Sequence, residues 1–255
     1  MLLTIDVGNS DIVTILYDEK KNIVKSDRRE TIKKSQYSLY AQYIKDIKKL
    51  FNISTVNYIV SCVVPSISET LKEVLEDNLD FGYFIDYTSY PDISKLLSPP
   101  QEIGADLIAA SVEVIENYDQ PTIIIDMGTA TKIIVVDKNT IIGVAILLGV
   151  KKNAKAIVQS IPHLPKVELK FPANVVGKTT IEAIQSGVMF STIATINGYT
   201  ALIEEHFENK VAKIITGGIS RLFLTKLKDY EYKENLVNDG LYSIYHLKDK
   251  TYEKI

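Results

Sequence analysis

The chain has 255 residues, of which 46% are hydrophobic and 24% are charged, and its formal net charge is −3. These values are typical of a folded globular protein with room for one large or two medium domains. The slightly negative net charge gives no electrostatic reason to expect a nucleic-acid partner. The lone Cys62 excludes an internal disulfide framework, and three scattered histidines argue against a zinc site. No apolar run approaches the roughly 18 residues that a membrane span needs, and Asp6 interrupts any signal-peptide core, so we expect a cytoplasmic protein with no membrane partner.

The first half of the chain alternates predicted strands and helices. Residues 1–5 form an apolar strand, the polar run 6–10 is typical of a turn, and 12–16 form the return strand. Further predicted elements are a helix at 35–51 with Ser35 as its N-cap, strands at 56–64 and 84–85, a helix at 66–75, and a long loop at 88–101. An alanine-rich helix then runs to about residue 118 and carries Asp106 near its N-terminus, where the helix dipole favours a carboxylate. Spacing alone leaves open whether Asp106 does more than stabilise the helix start.

The second half begins at Gln120-Pro121, which divides the chain into predicted halves at residues 1–119 and 120–255. The predicted elements are strands at 123–125, 133–136 and 214–216, a strand pair within 140–150, helices at 151–160, 180–207 and 235–246, and an irregular crossing at 162–172. The helix from Thr180 has apolar residues on more than one side, which indicates burial against a partner subunit as well as its own core. Strands and helices alternating in two halves predict an α/β fold with duplicated mixed sheets.

Two similar hairpins open the two halves. Asp6 and Asp126 each follow an apolar strand, and each stands two residues before a glycine and three before a small polar residue. Glycine lets backbone N–H groups approach a ligand closely, and hydroxyls add further donors, as in many phosphate sites. The carboxylate can hold a cation or its water beside the phosphate. A third glycine turn, Gly217-Gly218, follows the strand at 214–216. The pattern therefore indicates nucleotide phosphate binding.

This combination resembles the superfamily of sugar kinases, heat-shock ATPases and actin, which implies duplicated actin-like (ribonuclease H-like) domains with a nucleotide cleft between them. Six motifs in order narrow the resemblance to the type III pantothenate kinases over almost the entire chain. They are Asp6-Val7-Gly8-Asn9-Ser10, Val60-Ser61-Cys62-Val63-Val64-Pro65, Pro100-x-x-Ile103-Gly104-Ala105-Asp106, Asp126-x-Gly128-Thr129-Ala130-Thr131, Gly177-x-x-Thr180 with Gln185-Ser186-Gly187, and Thr216-Gly217-Gly218.

The resemblance implies ATP-dependent phosphorylation of pantothenate at its primary hydroxyl to 4′-phosphopantothenate, the first step of coenzyme A synthesis, by a homodimer. It implies Mg²⁺ facing Asp6, a K⁺ or NH₄⁺ ion held by Asp126, and Asp106 as the catalytic base. The implied ATP-binding residues are Asp6, Val7, Gly8, Asn9, Ser10, Asp11, Gly128, Thr129, Thr131, Gly217 and Gly218. The implied acceptor-binding residues are Leu97, Gly104, Ala105, Asp106, Leu107 and Thr180.

Several positions depart from the family pattern. Leu107 stands where the family has an arginine, Leu97 where it has a tyrosine, and Lys132 where the second hairpin usually has a threonine. The two leucines replace acceptor-binding residues and make that pocket more apolar. Lys132 is either a solvent-exposed strand lysine or a replacement cation for the acceptor. Three hypotheses stay open: a pantothenate kinase with a remodelled pocket, a kinase for another hydroxylated small molecule, and a non-catalytic or regulatory nucleotide-binding relative.

Overall fold

The computed structural model of the chain describes residues 1–161 and 163–252. Two mixed five-stranded sheets, each covered by helices, make the architecture α/β, as the sequence predicts. The sheets belong to two units, one formed by Met1–Asn117 together with the chain from Asn235 onward, and the other by Tyr118–Glu234. None of the helices within the described residues has the length and apolar character needed to cross a membrane.

The sheet of the first unit has the strand order β3-β2-β1-β4-β5. Its elements are β1 (Leu2–Val7), β2 (Asp11–Tyr17), β3 (Ile23–Glu30), α1 (Tyr37–Phe51), β4 (Asn57–Cys62), α2 (Pro65–Asn78), β5 (Gly82–Phe84) and α3 (Ala105–Asn117). The central strand β1 pairs antiparallel with β2 and parallel with β4. Alternate β1 residues Leu3, Ile5 and Val7 lie in the core with α1 and α2, so even-numbered β1 residues face the opposite side.

The sheet of the second unit repeats this arrangement in the order β10-β9-β6-β7-β8. Its elements are β6 (Thr122–Met127), β7 (Ala130–Asp137), β8 (Thr140–Leu148), α4 (Val150–Ser160), α5 (Thr180–Glu204), β9 (Ala212–Thr216) and β10 (Glu231–Tyr232). Ile123, Ile125 and Met127 of β6 pack in a core with α4 and α5. The central strand β6 is again antiparallel to one neighbour, β7, and parallel to another, β9. The duplication predicted from the two hairpins is thus present in the strand topology.

The last helix, α6 (Leu236–Tyr252), belongs to the first unit, although the predicted halves assign it to the second. It packs against α3 so closely that a Cβ on Gly240 would overlap the carbonyl of Ala109. Asn238 of α6 also donates a hydrogen bond to Thr4 Oγ1 at 2.9 Å. These contacts join the end of the chain to its beginning, which a boundary drawn along the sequence does not capture.

Two local predictions were wrong, and the strand β3 was missed. The apolar run from residue 140 is one strand, β8, rather than a strand pair. The N-cap of α1 is Gln36 rather than Ser35, whose hydroxyl is instead 2.6 Å from that of Thr70. The strand β3 was not predicted, because most of its side chains are polar and exposed. The part of the predicted 162–172 crossing that falls on residue 162 lies outside the described residues.

Candidate functional site

The first predicted phosphate turn is a tight hairpin between β1 and β2. Gly8 N donates to Asp11 O at 3.0 Å and closes the turn, in which Asn9 and Ser10 are exposed. A Cβ on Gly8 would stand 3.2 Å from that same carbonyl, so only a residue without a side chain leaves the turn undistorted. Val7 is completely buried, so any contact it makes with a ligand must come from its backbone.

Thr31, which the sequence pattern did not indicate as a site residue, stabilises this turn by two hydrogen bonds. Its hydroxyl donates to Gly8 O at 2.7 Å, and its backbone N–H donates to Ser10 O at 2.9 Å. Thr31 is 4% exposed and follows β3, the strand that the hydrophobic pattern did not reveal. The two bonds tie the backbone of the turn, at Gly8 and at Ser10, to the residue that follows β3.

Asp6 is the last polar residue of β1 before the turn. It lies beside Ser61 of β4, and Val63 N donates to Val7 O at 3.1 Å, so the chain after β4 runs alongside the start of the turn. Burial raises the pKa of the neighbouring Cys62 thiol, and the nearby negative charge of Asp6 adds to the increase. Cys62 is therefore a protonated, half-buried thiol at neutral pH rather than a nucleophile.

Asp106 lies in the first turn of α3, as predicted. Its Oδ1 accepts a hydrogen bond from Leu107 N at 2.8 Å, which fixes the carboxylate at the helix N-terminus. A Cβ on Gly104 would lie 2.6 Å from Asp106 Oδ1 and 3.5 Å from Val63 Cγ1. Gly104 therefore provides the space that the carboxylate occupies. The nearness of that Cβ position to Val63 also shows that the start of α3 lies close to the chain that follows β4.

Among the predicted acceptor residues, Ala105 and Leu107 are each 7% exposed and pack within the first unit. Leu97 is half-buried in the preceding loop, where its N–H donates to Ser94 O at 2.9 Å. Thr180 is an exposed residue at the start of α5, just after the Thr179 N-cap. The structure thus groups Gly104–Leu107 with the first predicted phosphate turn and leaves Leu97 and Thr180 on separate segments.

The second predicted phosphate turn joins β6 to β7. Gly128 N donates to Ala130 O at 3.0 Å, so this turn is also closed by its glycine, although it is one residue shorter than the first turn. The turn is backed by Gly149, where a Cβ would overlap the carbonyl of Thr129. Thr131 is 3% exposed and its hydroxyl is buried, whereas Thr129 is half-buried.

The glycine turn after β9 lies beside the second hairpin. Ile219 N donates to Met127 O at 3.2 Å, and Gly217 has a φ of +90°, which disfavours any other residue there. A Cβ on Gly217 would also come within 2.5 Å of Met127 O. Gly217 thus lets this turn approach the end of β6, and the exposed Gly218 continues it. Because β6 and β9 are parallel, both turns lie at the carboxyl ends of their strands, where open α/β sheets bind ligands.

Asp126 and Lys132 face each other across the second hairpin. They are directly opposite in the pairing of β6 and β7, and Lys132 Nζ is 2.8 Å from Asp126 Oδ2. The two side chains are only 16% and 15% exposed. Lys132 is therefore not the solvent-exposed strand lysine that the sequence left as one interpretation, and its ammonium lies at the carboxylate expected to hold a monovalent cation.

Within the described parts of the chain, no three His, Cys, Asp or Glu side chains cluster in a way that could hold a metal ion by themselves. Mg²⁺ in nucleotide sites usually takes one or two protein carboxylates together with phosphate oxygens. Asp6, at the mouth of the first turn, suits that role for a metal that arrives with the nucleotide.

Comparison with known proteins gives a consistent result. The family model of the type III pantothenate kinases matches residues 2–202. The type III pantothenate kinase of Shouchella clausii is 35% identical, with the match covering 96% of this chain and 98% of the relative. A proposed Baf family transcriptional activator from Campylobacter jejuni has a similar structure, with a TM-score of 0.60, 20% identity, and coverage of 97% and 99% of the two chains. A proposed 2-dehydro-3-deoxygalactonokinase from Sinorhizobium meliloti aligns with a TM-score of 0.58 at 12% identity, covering 97% and 96%.

The two structural similarities concern the fold alone, which is that of actin-like ATPases and sugar kinases, as the sequence predicts. The sequence matches extend over nearly the whole chain, and they include both Asp-x-Gly hairpins and the segment that carries Asp106. The chain therefore belongs to the type III pantothenate kinase family.

Proposed function

We propose that this protein transfers the γ-phosphoryl group of Mg-ATP to the primary hydroxyl of pantothenate, giving 4′-phosphopantothenate, the first step of coenzyme A synthesis. Family membership supports the substrate pair. The observation that carries the proposal is the position of Asp106: a half-buried carboxylate at a helix N-terminus, on the same unit as the first phosphate turn, with Gly104 leaving space for it.

The nucleotide would be bound by backbone rather than by side chains. The turns closed by Gly8 and Gly128 would supply backbone N–H groups, and the half-buried Thr129 would add its hydroxyl. Asp6 would face the magnesium that comes with ATP, and Gly217 and Gly218 would line the nucleotide. Turns held this way stabilise the negative charge that spreads over the phosphoryl oxygens during transfer.

In the reaction, the acceptor hydroxyl attacks the γ-phosphorus, the bond to the β–γ bridging oxygen breaks, and ADP leaves. Asp106 accepts the hydroxyl proton. A single carboxylate is sufficient for this step, because the transition state is loose and proton transfer comes late. The hydrogen bond from Leu107 N to Oδ1 orients the Asp106 carboxylate at the start of α3.

The apolar residues at the predicted acceptor positions also favour a second class of acceptor, a hydroxylated small molecule with less negative charge than pantothenate. Pantothenate carries a carboxylate, and Leu107 places an apolar, buried side chain where the family has an arginine. Losing a charge-assisted partner commonly costs about 1.5–3 kcal/mol, or roughly 10- to 150-fold in affinity. We therefore expect a high Michaelis constant for pantothenate, or preference for a less anionic hydroxylated molecule.

The deciding assay measures ADP release from Mg-ATP with and without pantothenate, together with the mass of the product. Pantothenate-dependent ADP release with a product heavier by one phosphoryl group is the expected result. The Asp106→Asn variant should lose about 10²- to 10⁴-fold in turnover while retaining Mg-ADP binding. Turnover only with another hydroxylated acceptor would move the proposal to that acceptor. Nucleotide binding without turnover on any acceptor would favour the non-catalytic alternative.

We also infer a homodimer that uses α5. Its buried residues, such as Ile184 and Val188, face the core of the second unit, yet Ile181, Tyr199 and Leu202 on the same helix are between 40% and 59% exposed. Large apolar side chains exposed along one helix are typical of a surface that another protein covers. The cytoplasmic location stays a prediction from the sequence.

A further inference from the structure

The cation expected at Asp126 does not fit the residues that the structure places there. Lys132 projects from β7 directly opposite Asp126 on β6, and its ammonium is 2.8 Å from the Oδ2 atom of the carboxylate. Both side chains are less than one-fifth exposed. The Lys95–Asp92 pair shows the contrast, since its side chains are 50% and 74% exposed and its atoms are 3.8 Å apart.

The backbone fixes this pair. Asp126 and Lys132 form the second residue pair from the turn, next to the pair Met127–Thr131, and the ladder pairs these strands without a register shift here. Alternation places both on the face of the sheet opposite the core that contains Ile125 and Ile133. The ammonium is thus held at the base of the turn proposed to bind phosphate.

An ammonium in this place supplies what a free K⁺ or NH₄⁺ ion would supply. It carries one positive charge, it donates N–H groups to the carboxylate as NH₄⁺ does, and it compensates a partly buried negative charge beside an anionic ligand. A second cation at the same carboxylate would enter against a like charge a few ångströms away, in surroundings with little solvent to screen it. Because the lysine is covalently attached, it cannot be displaced by dilution.

We propose that the Lys132 ammonium is a built-in monovalent cation at Asp126, so that this protein takes up no K⁺ or NH₄⁺ there and works equally well without them. The inference deepens the proposed function and rests on it. It assigns Lys132 as a positioning residue that neutralises Asp126 and holds the second phosphate turn ready for the nucleotide.

The first test uses nucleotide binding rather than turnover. Mg-ADP affinity is measured by calorimetry in choline chloride and again in KCl and NH₄Cl, at one ionic strength of about 0.1 M. Wild-type protein should bind with the same affinity, within about twofold, in all three salts. The Lys132→Ala variant, which removes the charge and leaves room for an ion, should bind about 10- to 100-fold more weakly in choline chloride. Affinity in that variant should recover in KCl or NH₄Cl.

Two further variants separate this effect from a general loss. Lys132→Met removes the same charge but still fills the space, so KCl should restore its affinity far less than it restores that of Lys132→Ala. Lys213→Ala breaks another lysine–carboxylate pair of the second unit, Lys213–Glu204 at 2.7 Å, away from the turn. Its Mg-ADP affinity should match wild type in every salt. Circular dichroism of each variant confirms that it is folded.

The outcomes are decisive in both directions. Wild-type affinity or turnover that rises about tenfold or more with K⁺ would overturn the inference, as would a Lys132→Ala variant that binds Mg-ADP like wild type in choline chloride. Absence of pantothenate phosphorylation in every salt would refute the proposed function instead. The binding series would then still decide whether Lys132 replaces the ion.

Discussion

Replacing Gly104 by alanine tests whether the position of the Asp106 carboxylate matters for catalysis. The added Cβ would stand 2.6 Å from Asp106 Oδ1, whereas van der Waals contact requires about 3.5 Å. The carboxylate is the end of a rotatable side chain, so it must move away by close to 1 Å. That movement also strains the 2.8 Å hydrogen bond from Leu107 N.

The expected effect falls on turnover rather than on stability. Gly104 does not occupy the left-handed backbone region, and the atoms that come nearest to the new Cβ belong to the side chains of Asp106 and Val63. The free energy of unfolding should therefore change by less than about 1 kcal/mol. A displacement of about 1 Å at a reacting group can cost about 10²-fold in rate, equivalent to about 2.7 kcal/mol of activation free energy. We expect kcat to fall about 10- to 100-fold with Mg-ADP affinity unchanged.

The assay is coupled ADP release with pantothenate, and Gly143→Ala is the matched control because a Cβ on Gly143 meets nothing within 4 Å. The control should keep wild-type kcat. In an Asp106→Asn background, Gly104→Ala should cost little more, because both changes act through the same carboxylate. If Gly104→Ala has wild-type kcat, or if the two losses add fully, the assignment of Gly104 as the residue that positions Asp106 is wrong.

Three further results are expected. Thr31→Val removes the hydroxyl bond to Gly8 O, so calorimetry should show Mg-ADP binding about 5- to 10-fold weaker, whereas Thr31→Ser should bind like wild type. Lys21→Met leaves the Glu113 carboxylate buried without its ammonium partner at 2.6 Å, and urea unfolding at pH 7 should show a loss of about 2–3 kcal/mol. Burial already raises the pKa of Glu113, so the folded state of that variant takes up a proton on Glu113 as the pH falls. The loss in its free energy of unfolding relative to wild type should therefore become smaller toward pH 5. A loss that does not change with pH would contradict this explanation. Sedimentation at micromolar concentration should show twice the 28.6 kDa chain mass, and Leu202→Glu should give a folded monomer; a wild-type monomer would refute the dimer inferred from α5.

The sequence by itself determined the parts of this protein that depend on neighbouring residues. Apolar strands followed by Asp-x-Gly, and glycines after the strand at 214–216, specify hairpins and turns through local backbone geometry. The helix start at Ala105 is equally local, so the place of Asp106 within its helix was predictable. The ordered motifs identified the family, since each motif is a short run whose spacing does not depend on the rest of the fold.

Only the tertiary structure decided which distant or cross-strand residues complete the site. Thr31 contacts the first turn from the end of the charged strand β3. The backbone of β3 forms its hydrogen bonds by pairing with β2, and its side chains are mostly polar, so the sequence shows no hydrophobic pattern there. The last helix joins the first unit because its glycine fits against α3, a contact between residues more than a hundred positions apart. Lys132 looks like a surface lysine in the sequence. Its charge becomes part of the site because the strand register places it opposite Asp126. The fold also removes both side chains largely from water. An isolated charge would be unstable in such surroundings, whereas an ion pair is stable there.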